Sequence, residues 1–208
     1  MKITRSQLRY LIVEVIATSS GNATILARAS ALKSTWDALP IKNTKRPEAD
    51  PAAEKFLRTL WDKTGKTKAW ADKMGFTTGG EGDPAEKAWS AATISTIVND
   101  DAVKSIRHSD YRDASWERRK RWNAASDEEK PNIKFVAFKP GEIEPKPGDI
   151  RCYLRKGGTH CDICMDDNCK TVVGGNIGDS LTRRSSSSAR KADMYIVSKA
   201  KKLKGDSG

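Results

Sequence analysis

The chain has 208 residues, 31% of them charged, and carries six Trp, so it can bury one real core and is too aromatic for a disordered segment. Its 38 Lys and Arg against 27 Asp and Glu leave +11, a balance that suits polyanionic company (nucleic acid, an anionic cell wall or a membrane surface) or simply a solubilising surface. No apolar run is long enough to span a bilayer.

Lys2, Arg5 and Arg9 ahead of Leu11, Ile12 and Val13 have the outline of a signal peptide, but Glu14 interrupts the apolar run and no clean small-residue cleavage site follows. Leu8, Leu11, Ile12, Val15 and Ile16 have helical spacing instead, which predicts an amphipathic helix over residues 4–18. Ser19-Ser20-Gly21-Asn22 joins it to a second helix over 23–38, and a polar linker runs from Pro40 to Pro47. Asp50-Pro51 is an N-cap acid followed by Pro at the first helical position, with Phe56, Leu57, Leu60 and Trp61 on one apolar face. A short helix over 66–74 and a Gly-rich loop over 77–82 follow, so a boundary is expected near residue 80.

Asp83-Pro84 leads into a helix over 89–99, and helical or irregular chain continues through Trp116 and Trp122. The cluster Trp116-Glu117-Arg118-Arg119-Lys120-Arg121-Trp122 suits base stacking with phosphate contact, or core Trp residues with a solvated basic side; the second is preferred, because Trp at i and i+6 do not share one helix face. Strands are predicted at 134–138, 149–155, 160–165, 170–173 and 194–198, with Asp166-Asp167-Asn168 turning the third into the fourth as a hairpin. Helices followed by an antiparallel sheet give the α+β class. The expected organisation is a helical extension over 1–80, a domain over 81–198 and a flexible basic tail over 199–208. From Arg183 to Gly208 there are eight Lys or Arg against two Asp, so the tail is a candidate for contact with nucleic acid or another anionic polymer.

The chemistry-bearing residues fall in a definite order. Ser90 heads the predicted 89–99 helix, where the dipole and open N–H groups favour negative charge. His160 begins a strand after Gly157-Gly158, and Asn176 ends the neighbouring strand after Gly174-Gly175. Nucleophile, base and orienting residue in that order make a candidate triad of Ser90, His160 and Asn176. The plainer reading makes Ser90 an N-cap.

These segments carry a resemblance. Trp89-Ser90-Ala91-Ala92 with Ile94-Ser95, His108-Ser109-Asp110-Tyr111, Pro147-Gly148-Asp149-Ile150 with Cys152-Tyr153, His160-Cys161-Asp162-Ile163, and Gly174-Gly175-Asn176 with Asp179-Ser180 resemble an uncharacterised bacterial and phage domain family. That family belongs with the CHAP and NlpC-type cell-wall peptidases and amidases, and the resemblance covers roughly residues 84–198. It implies a papain-like fold, with an antiparallel sheet packed on helices, and action on peptidoglycan amide or peptide bonds without a cofactor or metal. Ser90 stands where well-studied relatives have the nucleophilic Cys. A hydroxyl is far harder to ionise than a thiol, so a catalytically inactive fold used for binding or as a phage component stands as the alternative. Trp89, His108, Asp110, Tyr111 and Asp162 are candidate substrate-binding residues. His108 is expected to line the same cleft or to pair with Asp110.

The four Cys are 152, 161, 164 and 169. Cys161 and Cys164 are three apart on one predicted strand and point to opposite faces, and a second CxxC is missing, so buried free thiols are expected rather than zinc. Cys164 and Cys169 flank the hairpin turn and can be bridged in an oxidising compartment. Without a clear signal peptide, the expected location is the cytoplasm of a bacterial host or a virion.

Overall fold

The structure is a computed structural model that describes residues 22–43, 45, 47, 50–65, 89–155, 158–178, 180–186 and 191–198. The helix expected over 4–18, the 66–74 helix, the loop over 77–82 and the 199–208 tail lie outside the described residues. Four α-helices are described: α1 (Asn22–Asp37), α2 (Pro51–Lys63), α3 (Ser90–Val98) and α4 (His108–Ala124). Six strands follow: β1 (Val136–Phe138), β2 (Ile150–Arg155), β3 (Gly158–Cys164), β4 (Thr171–Gly174), β5 (Thr182–Ser185) and β6 (Met194–Val197). They form one antiparallel sheet in the order β1-β6-β2-β3-β4-β5, so the class is α+β.

Local chemistry sets the helix ends. The Asp50 carboxylate accepts from Ala52 N at 2.9 Å and Pro51 opens α2, a capped start without a lost hydrogen bond. α3 ends at Asn99 in the left-handed region, and Arg28 of α1 donates to the Ile97 and Val98 carbonyls at 3.1 and 2.7 Å, placing a cation at the negative end of the helix.

One core joins these parts. Leu32 and Trp36 of α1, Phe56 and Leu60 of α2, and Ile94 and Ile97 of α3 pack with Ile150, Ile163, Val173 and Ile196 of the sheet. Trp36 stacks on Trp89 at 5.4 Å and its Nε1 donates to Ser180 Oγ at 3.0 Å. The helices within 22–63 therefore share the core of the chain that follows them. α3 is buried at every position, which fits its run of small and β-branched residues. Trp122 sits in a second cluster, edge-on to Phe138, with the Arg119 guanidinium over both rings and only 5% of its surface exposed. It is a core residue with cation–π cover, and its ring is not available for base stacking.

The cysteines differ from expectation. Cys152 and Cys161 are bridged, and so are Cys164 and Cys169. The register explains the first: Cys152 and Cys161 are direct partners across β2 and β3, close enough for a bond. The second spans the turn after β3, the pairing that the flanking positions allowed. No thiolate is left among the four, and among the described residues no group of three His, Cys, Asp or Glu side chains is arranged to hold a metal ion. No helix among the described residues is long and apolar enough to cross a membrane.

Candidate functional site

Ser90 is the first residue of α3. The N-cap is Trp89, which makes no side-chain cap bond, so Ser90 is not the capping residue that a Ser ahead of a helix suggests. Its hydroxyl lies 2.6 Å from His108 Nε2. His108 is the first residue of α4, and its Nδ1 is hydrogen-bonded to the Tyr111 hydroxyl one turn on. Ser90, His108 and Tyr111 thus form a chain of hydrogen bonds carried entirely by helix N-termini.

His160 belongs to a second chain. His160 and Asp162 are two apart on β3 and so share a face, while Cys161 and Ile163 turn into the core. His160 Nε2 meets Asp162 Oδ1 at 3.1 Å. Asp162 Oδ2 lies 3.4 Å from Arg184 of β5 and 3.7 Å from Arg151, its cross-strand partner on β2. Arg184 also donates to the Tyr153 hydroxyl at 2.8 Å. The two imidazole rings lie 5.3 Å apart, so the chains adjoin.

This arrangement revises the expected triad. Ser90 is bonded to His108 rather than His160, and Asp162 rather than Asn176 occupies the His160 ring nitrogen. No hydrogen bond joins Asn176 to His160, whose Nδ1 has no partner among the described residues. The reason is local: Asn176 lies beyond the end of β4 with φ +58°, whereas Asp162 needs only the strand's alternation to reach His160. His108 does not pair with Asp110, which is exposed and accepts from Ser105 Oγ at 2.5 Å. Trp89 is a fully buried core residue and not a surface for substrate. Tyr111 and Asp162, expected as substrate contacts, instead hold the two imidazoles.

Two glycines let the parts approach. A Cβ on Gly174 would lie 2.0 Å from Asp162 Oδ1, and one on Gly175 would lie 2.4 Å from Thr93 Oγ1 and 2.6 Å from the Trp89 ring. Gly174-Gly175 therefore seats Asp162 on one side and α3 on the other.

The electrostatics are those of a dry site. Burial pushes the His108 imidazole well below its ordinary range, and the proximity of His160, Arg155 and Arg112 pushes the same way, so the ring stays neutral. Burial and then the Asp162 charge raise the Tyr111 phenol well above its usual value, so it keeps its proton. In the tautomer with Nδ1–H donating to Tyr111, the bare Nε2 accepts the Ser90 hydroxyl proton, which is the arrangement of a general base. Ser90, His160 and Asp162 are all 0% exposed.

Sequence reasoning missed four members of this cluster: Arg151, Tyr153 and Arg184, and His108 as the partner of Ser90. The signal for His108 was its spacing of three from Tyr111 at a helix start, which puts both side chains on one face. Comparison with protein-family models, with curated proteins and with solved structures finds no match to this chain.

Proposed function

We propose that the chain is a papain-like hydrolase of the cell-wall amidase and peptidase type, working through a serine. Ser90 attacks the carbonyl as His108 takes its proton, the C–N bond breaks as His108 returns that proton to the leaving nitrogen, and a water activated by His108 then hydrolyses the ester left on Ser90; Tyr111, accepting from His108 Nδ1–H, orients the ring. The first N–H groups of α3 have no intrahelical acceptor by their position, and they stabilise the oxyanion. His160, held by Asp162, is a positioning residue that packs beside His108. The observation that carries this reading is the 2.6 Å contact of a helix-initiating Ser with a neutral imidazole. The resemblance supplies the substrate class, amide bonds of peptidoglycan. Two disulfides suit an oxidising compartment and speak against a reducing cytoplasm as the working place.

A second reading is favoured by one observation, the complete burial of Ser90. In it the same fold is catalytically inactive, the polar cluster is internal scaffolding, and the basic surface binds an anionic polymer. Dye release from labelled peptidoglycan separates the two. Under the hydrolase reading the native chain releases dye, Ser90→Ala loses at least about a hundredfold, and Ser90→Cys retains or gains activity because a thiol is easier to deprotonate. Native protein as inert as Ser90→Ala supports the inactive reading. Release that survives Ser90→Ala contradicts both.

A further inference from the structure

Four arginines surround the two imidazoles, and three have partners. Arg112 is bidentate on Asp193 at 3.1 and 2.9 Å. Arg184 lies on Tyr153 and Asp162. Arg151 lies by Asp162 and over the Tyr153 ring. Arg155 differs. It ends β2, two residues from Tyr153 and four from Arg151, so alternation puts all three on one face with His160 and Asp162 of the neighbouring strand. It is half-buried, and no ion pair or hydrogen bond occupies it among the described residues. Its cross-strand partner is Gly158, where even a Cβ would meet nothing within 4 Å, so among the described residues the space beside it is open. Its charge is felt at His108.

Asp162 and Asp193 engage three of these guanidiniums, and Arg155 has no carboxylate partner among the described residues. An unmatched, half-buried guanidinium at such a place is a ready anion receptor. Its planar fork matches a carboxylate in two parallel hydrogen bonds.

We propose that Arg155 binds a carboxylate of the substrate, so that the site takes a peptide or amide with a free carboxylate near the bond presented to Ser90. The claim about Ser90 rests on the hydrolase reading above; the carboxylate site itself does not require turnover. A Lys in place of Arg155 would offer charge without the fork.

The test is isothermal titration of the full chain with N-acetyl-alanyl-alanine as the free acid and as its C-terminal amide. The acid should bind about tenfold more tightly than the amide, the scale of one charge-assisted contact at a partly exposed site. Arg155→Gln should erase that preference while melting at the native temperature, and Arg155→Lys should keep part of it. If Arg155→Gln melts lower, the graded loss through Arg155→Lys decides the matter. Equal affinity of acid and amide for the native chain, absence of acid binding at millimolar concentration, or a preference that persists in Arg155→Gln would each overturn the proposal. An inert Ser90 beside intact acid selectivity would remove the hydrolase reading and leave the carboxylate site standing.

Discussion

The helix-borne and strand-borne halves of the buried cluster solve the same problem in opposite ways. On the helices, His108 is flanked by two hydroxyls, Ser90 and Tyr111, and no carboxylate among the described residues touches it. On the strands, His160 leans on Asp162, whose charge is shared by Arg184 and Arg151. Burial without an anion keeps an imidazole neutral, with a bare nitrogen that can accept from a neighbouring hydroxyl; burial with an anion ties an imidazole to one orientation. Under the proposed hydrolase reading, proton transfer falls to the helix half and positioning to the strand half.

The largest expected effect comes from breaking the strand half. Asp162→Ala leaves Arg151 and Arg184 around an empty place in a dry interior and should cost about 3–5 kcal/mol in chemical denaturation. Tyr111→Phe breaks the helix half, where only neutral groups are involved, and should cost about 1–3 kcal/mol by leaving His108 Nδ1 without a partner. If Tyr111→Phe proves the more damaging of the two, the contrast between a charged and a neutral half fails.

The smallest effect is a pH dependence that belongs to the helix half. The folded state holds His108 well below the ordinary imidazole value of 6.5, and the unfolded chain titrates near 6.5. As pH falls below about 6.5 the unfolded chain gains a proton that folded His108 refuses, so stability drops on acidification. The melting temperature of the native chain should therefore fall more steeply below pH 6.5 than that of His108→Gln. Parallel slopes would mean that His108 is not held neutral.

Much of this architecture was legible in the residues. Asp50-Pro51 announced α2, and the alternation after Pro131 announced the sheet. β5 was not legible: Thr182-Arg183-Arg184-Ser185 is wholly polar, and it is a strand because it completes the edge beside β4. The bridge between Cys152 and Cys161 needed a register that composition alone does not state; once Arg155 faces Gly158, Cys152 must face Cys161. At the site, Ser90 and His160 each lie beside His108. Their direct partners were not found, because they depend on where the start of α4 docks and on which face of β3 is buried. Asn176 was chosen by order along the chain, whereas Asp162 is chosen by strand geometry.

The central claim, that Ser90 is activated by His108, is tested most directly by covalent labelling with a fluorophosphonate followed by intact-mass and peptide mass spectrometry. One adduct, on Ser90, is expected in the native chain and none in Ser90→Ala. Labelling should be slowed about a hundredfold or more in His108→Gln, the range of a lost general base, and slowed less in His160→Gln. A native chain that takes no label, or labelling that needs His160 and survives the loss of His108, would contradict the claim.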